Sequence, residues 1–242
     1  MNAETSKIKQ KLIDLYLYKA ELHAHSSPAS TCSEVPAEDG VKLYAQKGYS
    51  VIAFTNHLFL NYVESHGGKE GYLDFIENEI NTAKEAGKKY GINVIWGAEL
   101  RFVNENNNDY LLFGINREIL SRAIDSLSFD LKTFVTEYKN SRSVIIQAHP
   151  FRNGQERADV SLLDGIEVFN MHPNHNSRVS VARAYAKENN KIMTCGTDFH
   201  EYAHAGLSAT RFKRIPSDSF ELAEMIREND FIFQIGDSIV IG

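Results

Sequence analysis

Apolar residues in this chain fall into short unbroken runs, separated by longer stretches that repeat every three or four positions. The runs VIAFT, VIWGA, YLLFGI and SVIIQA read as strands buried on both faces, since a half-exposed strand would alternate apolar with polar. Strands are expected at Tyr18–His25, Ser50–His57, Asn93–Leu100, Asp109–Ile115, Ser143–His149, Gly165–Asn170 and Lys191–Asp198.

Helical periodicity fills most of the gaps. One helix begins around Pro36, Glu38 and Asp39 and ends near Gly48, following the proline-early, glycine-late asymmetry. Lys69–Tyr90 puts Leu73, Ile76, Ile80 and Ala83 on one face, with Gly91 as the C-cap. Leu120, Ile124, Leu127, Leu131, Phe134 and Tyr138 mark another helical stretch, broken near Ser128. Val179, Ala182 and Ala186 mark a third, and Phe220, Ala223 and Ile226 a last one after Ser217. The polar run Asn104–Asn108 reads as a turn between adjacent strands.

Seven strands, mostly separated by helices, predict an α/β fold, with a parallel sheet closed or nearly closed into a barrel. No repeat or Pro/Gly-rich linker divides the chain, so residues 1–242 are expected to form a single domain.

Composition narrows the function. The 242 residues are 43% hydrophobic, enough for a sizeable core. A net charge of −6 argues against a broad basic face for duplex nucleic acid. Cys32 and Cys195 form no CxxC pair and suggest no disulfide framework. The N-terminus is polar, and no apolar run approaches the roughly 18 residues of a membrane span. A cytoplasmic setting away from membranes is expected.

Chemistry concentrates at the ends of the strand-like runs. His23 and His25 lie in ELHAH, His57 in FTNH, Glu99 in WGAEL, His149 in IIQAHP, and Asp198 and His200 in GTDFH. In α/β barrels the C-terminal rim of the strands carries the active site. Two residues apart on a strand, His23 and His25 share a face, and Asp198 with His200 repeats the spacing. A carboxylate such as Glu99, ending an apolar run, is costly to bury unless paired, and bridging two cations would offset that cost. Its alternative is a surface salt bridge to Arg101. Pro150 is expected to hold His149 extended. Together these donors describe a hydrolytic centre for more than one divalent ion, with zinc, manganese and iron all compatible.

Other candidates stand around this set. Arg101, Arg152 and Arg178 each follow a motif and suit a phosphate, Arg152 foremost. His172 and His175, in NMHPNHNSR, are read as substrate contacts or a proton donor to the leaving group, or as plain loop residues. His66 and His204 are read as surface residues. Cys32 is read as a small half-buried residue, with thiolate ligation as the alternative.

The combination of HxH, TxH, GxE, AHP and DxH, from about Glu21 to about His200, resembles the PHP (polymerase and histidinol phosphatase) domain family. The resemblance implies a distorted seven-stranded (β/α) barrel with two or three divalent ions at its C-terminal rim, and phosphoester hydrolysis. It departs in three places. Ser26–Ser33 lacks the acid or histidine usual after HxH, leaving the third ion to Cys32 or water. Asn56 replaces the usual Asp of TDH. Asp109-Tyr110-Leu111 stands where many members carry a histidine.

The resulting expectation is hydrolysis of a small phosphorylated substrate, such as a phosphomonoester, nucleotide or short oligonucleotide. Glu99 would bridge two ions, Asp198 would hold a metal and orient the nucleophile, and Arg152 and His172 would contact substrate. The alternatives are a metal-dependent hydrolase of a C–N or C–O bond and a non-catalytic module binding metal or phosphate.

Overall fold

The unbroken apolar runs do form buried strands. The computed structural model describes residues 3–242. Its strands are β1 (Tyr18–Ala24), β2 (Val51–Phe54), β3 (His57–Leu58), β4 (Asn93–Trp96), β5 (Ala98–Leu100), β6 (Tyr110–Phe113), β7 (Val144–Gln147), β8 (Gly165–Asn170), β9 (Ile192–Gly196), β10 (Ser208–Phe212), β11 (Ile232–Ile235) and β12 (Ser238–Val240). The helices are α1 (Ala3–Leu15), α2 (Ala37–Gln46), α3 (Leu60–Ser65), α4 (Gly68–Tyr90), α5 (Arg117–Ser126), α6 (Leu131–Thr133), α7 (Val179–Glu188) and α8 (Ser219–Glu228). The break expected near Ser128 separates α5 from α6, which runs on as a π-helical turn over Phe134–Tyr138.

The fold is mixed α/β, but its sheets differ from the expected parallel barrel. Two six-stranded mixed sheets run in the orders β12-β11-β10-β1-β2-β4 and β3-β5-β6-β7-β8-β9, and their ladders do not close into one barrel. Parallel pairing holds for β1·β2·β4 and for β7·β8·β9. β6 runs antiparallel to both neighbours, because the loop after β5 contains no crossover helix. β10, β11 and β12 form an antiparallel extension that covers the edge of β1.

Two expected strands are each split in two. Ser50–His57 divides into β2 and β3, and Asn93–Leu100 divides into β4 and β5 at Gly97. A Cβ on Gly97 would lie 2.9 Å from Thr55 Cγ2 and 3.0 Å from the Phe113 ring. Glycine allows that close approach, and the chain passes from the first sheet to the second there. The sheets also meet where β1 ends. The His25 N–H donates to the Phe199 carbonyl (2.9 Å) and the Phe199 N–H to the His23 carbonyl (3.1 Å). Side chains from both sheets and the flanking helices share one core that includes Leu22, Phe54, Leu112, Ile146 and Phe199.

Candidate metal centre

Strand pairing sets the donors opposite one another. The two hydrogen bonds between His23–His25 and Phe199 lay HxH alongside Asp198-Phe199-His200. β3 and β5 pair in parallel with His57 opposite Glu99. Two donors turn inward on left-handed backbone, Asp198 at φ 57° and His149 at φ 31°. Non-glycine residues seldom adopt this region, and such strain concentrates at functional sites. His149 therefore departs from expectation: Pro150 does not hold it extended, because β7 ends at Gln147 and the chain turns before the proline.

All seven donors singled out in the sequence converge. Glu99, only 1% exposed, sits at the centre. Its Oε1 is 3.3 Å from His23 Nε2 and 3.3 Å from His149 Nε2. Its Oε2 is 2.8 Å from His57 Nδ1 and 3.4 Å from His25 Nε2. Asp198 Oδ1 is 3.4 Å from His23 Nε2 and 3.5 Å from His25 Nε2. His200 stacks on His25 with ring centroids 4.3 Å apart. Despite the short separations, neither Glu99 Oε1 nor His57 Nδ1 has a hydrogen-bond partner.

A surrounding layer fixes which nitrogen each ring presents. The Glu167 carboxylate lies 2.9 Å from His23 Nδ1. Ser30 donates to Asn56 Oδ1 at 3.0 Å, so its oxygen is an acceptor for His25 Nδ1 at 3.1 Å. The Asp198 carbonyl lies 2.9 Å from His200 Nδ1. Each of these rings is thus left with Nε2 directed away from its anchor, the usual arrangement for metal-binding imidazoles. Asn56 holds the loop after β1, also accepting the Ser26 N–H at 2.8 Å.

The electrostatics call for added positive charge. His23 Nε2 and His25 Nε2 face each other at 3.1 Å. With both Nδ1 atoms bonded elsewhere, a proton or a cation must lie between two such lone pairs. Burial alone would lower His23, but Glu167, Asp198 and Glu99 hold its pKa well above the usual histidine value. Burial, together with the neighbouring His200 and His57, drives His25 well below it. Burial opposes ionisation of Glu99 and Asp198, yet His23 and the surrounding imidazoles keep both pKa values well below the ordinary range. Buried carboxylates at this density need compensating cations. Four groups have donor atoms within 4.8 Å of one another: His23–His25–Glu99, His23–His149–Asp198, Glu99–Asp109–His149 and His25–His57–His200. The donor set therefore fits divalent metal ions.

The cluster opens into a cavity of about 360 Å³. Arg152 lines it and donates to Asp198 Oδ2 and, at 3.2 Å, to Asn170 Oδ1, while its buried Nε has no partner. Arg101 also lines the cavity, bidentate to Asp109 at 2.8 and 2.9 Å and stacked over Phe59. The expected Glu99–Arg101 surface pair does not form. Arg178 is turned elsewhere, donating to the Phe151 carbonyl and to Asn153 Oδ1 at 2.6 Å. His172 and His175 line the cavity with ring centroids 4.5 Å apart. Burial pushes His172 down to about 3. Its Nδ1 accepts the Asn174 N–H at 3.2 Å, leaving a neutral ring with Nε2–H free. Cys32 Sγ is 3.1 Å from His57 Nε2. Cys32 is exposed rather than half-buried; partial desolvation raises the thiol, but His200 and His57 outweigh it and bring its pKa down to about 6.

Two histidines expected at the surface are not there. His204 is 2% exposed, packed edge-on to His172 at 4.7 Å in the 3₁₀ turn after the DFH motif. His66 ends α3 half-buried, stacked on Phe75 with Nδ1 2.7 Å from the Tyr62 carbonyl.

Sequence reading also missed three carboxylates. Asp109 precedes β6, and because β6 runs antiparallel to its neighbours, its N-terminal end lies at the donor rim. Glu167 lies inside the apolar run of β8 and accepts the His149 N–H (3.1 Å) and Asn170 Nδ2 (2.9 Å) besides facing His23. Glu21 in β1 is fully buried, accepting the N–H groups of His23 and Thr197, both at 2.9 Å, and the Tyr44 hydroxyl. Burial raises Glu21 to about 6 against those hydrogen bonds. The signal available for the last two was an acid within an otherwise apolar strand.

Known proteins share this architecture. PsfC from Pseudomonas syringae PB-5123 superimposes with a TM-score of 0.61 at 17% identity, over 86% of this chain and 87% of that one. A two-domain protein from Bacteroides vulgatus ATCC 8482, described as containing a predicted PHP-like metal-dependent phosphoesterase, gives 0.61 at 15% identity over 92% of this chain and 66% of that one. An amidohydrolase from Chromobacterium violaceum, with bound sulfate and no metal, gives 0.50 at 14% identity over 75% of this chain and 87% of that one. No curated protein matches the sequence. The PHP domain model matches residues 21–193, the stretch that supplies five of the seven donors described above and ends before Asp198 and His200 only by a few residues. The chain belongs to the PHP domain family.

Proposed function

We propose that this protein is a metal-dependent hydrolase of phosphomonoesters. The observation that carries the reading is the Glu99 carboxylate, sealed from solvent among four imidazoles with one oxygen lacking a hydrogen bond. A carboxylate in that position bridges two cations more readily than it serves any structural purpose. His23, His25, His57, His149, Asp198 and His200, with Asp109, would complete the ligand set. When bound, divalent ions supply positive charge that acidifies water and offsets charge on phosphoryl oxygens.

The chain's own residues orient the substrate. Arg152 and Arg101 both line the cavity, where planar guanidinium donors match tetrahedral oxyanions. His172, neutral and with Nε2–H free, donates a hydrogen bond to substrate rather than carrying a charge. Asp198, held by Arg152 and Asn170, stays ionised at its stated place in the cluster. A cavity of about 360 Å³ suits a small molecule or the terminal residue of a short oligonucleotide.

The test is turnover of a panel of phosphomonoesters and short oligonucleotides by protein loaded in turn with zinc, manganese and iron. Glu99→Gln should cost at least about 100-fold in kcat, the scale of losing one preorganised electrostatic group. Absence of turnover on every substrate and metal, or turnover indifferent to Glu99→Gln, His23→Ala and Asp198→Asn, removes the reading.

A further inference from the structure

We propose that Cys32 supplies a thiolate ligand to a divalent ion held by His25, His57 and His200, forming a sulfur–nitrogen site beside the Glu99-centred one. The inference deepens the metal-dependent reading above and rests on it.

The three imidazoles form one of the compact donor groups, within 4.8 Å of one another. Ring centroids are 4.4 Å apart for His25 and His57 and 4.3 Å for His25 and His200. Ser30 and the Asp198 carbonyl occupy the Nδ1 atoms of His25 and His200, which leaves their Nε2 lone pairs for a ligand. Three imidazoles bring no negative charge of their own to a dication. The thiol is the added donor at this corner, 3.1 Å from His57 Nε2.

The loop that carries Cys32 is fixed rather than free. The Thr31 N–H donates to the Tyr62 hydroxyl at 3.0 Å. Ser33 Oγ and the Glu34 N–H both donate to the His200 carbonyl, at 3.1 and 3.0 Å. Bonds on each side of Cys32 thus deliver the sulfur to the imidazoles. Coordination releases the thiol proton to solvent and forms one metal–sulfur bond, with no change in oxidation state. One thiolate with three imidazoles favours zinc or cobalt over magnesium or calcium.

Cobalt(II) tests this directly. Chelator-stripped protein, kept reduced and free of oxygen, is titrated with cobalt and followed by absorption. The expected result is a near-ultraviolet thiolate-to-cobalt charge-transfer band together with visible ligand-field bands. Cys32→Ser and Cys32→Ala should abolish the first and keep part of the second. Cys195→Ala, at a thiol buried in β9, should keep both. Cys32→Asp, which restores an anionic donor, should retain the ion without the charge-transfer band. Affinity at this site should fall in Cys32→Ser by at least about 10-fold, the lower bound seen when even an outer partner of a ligand is lost. Ligand-field bands in the unmodified protein without charge transfer would overturn the thiolate and leave the hydrolase reading intact. Failure to bind cobalt at all would remove both. Circular dichroism identifies any variant that fails to fold, in which case the unmodified protein and Cys195→Ala decide.

Discussion

Glu167 Oε1 lies 2.9 Å from His23 Nδ1, and both side chains are almost wholly buried. The pair fixes the imidazole so that Nε2 points at Glu99 and Asp198. The other Glu167 oxygen takes the His149 N–H and Asn170 Nδ2, so one carboxylate positions parts of β1, β8 and the turn after β7 at once. Glu167→Gln keeps the shape and loses the charge that holds the ring. Metal affinity should drop by about 10–100-fold, the usual effect of losing an outer partner of a histidine ligand. Competition with a chromogenic chelator measures it. Unchanged affinity would show that Glu167 is merely a buried acid.

Gly196 faces the same pair from β9. A Cβ there would come 2.4 Å from His23 Cβ and 2.7 Å from Glu167 Oε1, with the His23 backbone nitrogen at 3.2 Å. None of these is the loose end of a flexible chain, so the strand or the ring must move. Gly196→Ala should destabilise the fold by about 1–3 kcal/mol, the cost of overpacking a filled core. It should also weaken metal binding, because His23 is displaced. Denaturant unfolding gives the first quantity and the chelator titration the second. Loss of stability with unchanged metal affinity would mean that the strain is absorbed away from His23.

Metal removal should act on stability as well as on turnover. Glu99, Asp198, Glu167 and Asp109 are buried within the same cluster, and Arg101 and Arg152 partner only two of them. Ions that bind the folded chain stabilise it by mass action, about 2.7 kcal/mol at a hundred times Kd. For a chain of this size that corresponds to a rise in Tm of roughly 5–11 °C, reversed by chelator. Differential scanning fluorimetry with zinc, manganese or iron, and with chelator, measures the shift. A Tm indifferent to every metal would argue that no ion occupies the cluster.

Much of this was legible in the chain because the strands are buried on both faces. VIAF, YLLF and VIIQ are unbroken, so their ends are visible, and the donors sit at those ends. Strand direction was not visible. β6 reads like any other apolar run, yet it runs backwards, and so Asp109 enters the cluster from the start of its strand. Sheet closure was equally hidden. SATRF hydrogen-bonds to one edge of β1 and the hairpin beyond it to SATRF, a partnership that depends on residues nearly two hundred positions away. His149 shows the limit of local rules. The proline after it favours extended backbone, but the surrounding cluster holds the residue at φ 31°. Glu21 and Glu167 were passed over because charge inside an apolar strand looks like an interruption until its partners are known.

Arg152 separates the phosphoester reading from hydrolysis of an uncharged substrate. It stands on the wall of the cavity, with Nη2 shared by Asp198 and Asn170 and a buried Nε that has no partner. A phosphate oxygen near that wall would meet a fixed planar cation. Hydrogen bonds to charged groups contribute about 1.5–3 kcal/mol, so Arg152→Ala should lower kcat/KM on a phosphomonoester by roughly 10–150-fold. Inhibition by inorganic phosphate should weaken by a similar factor. Arg152→Lys should recover only part of either, because an ammonium cannot reproduce the planar fork. Since the substitution also frees Asp198, metal content has to be measured alongside. A variant that keeps its metal, cleaves phosphomonoesters normally and is inhibited by phosphate as before would remove Arg152 from substrate binding. A chain whose activity on a C–N or C–O substrate ignores both phosphate and Arg152 would belong to the other class of hydrolase.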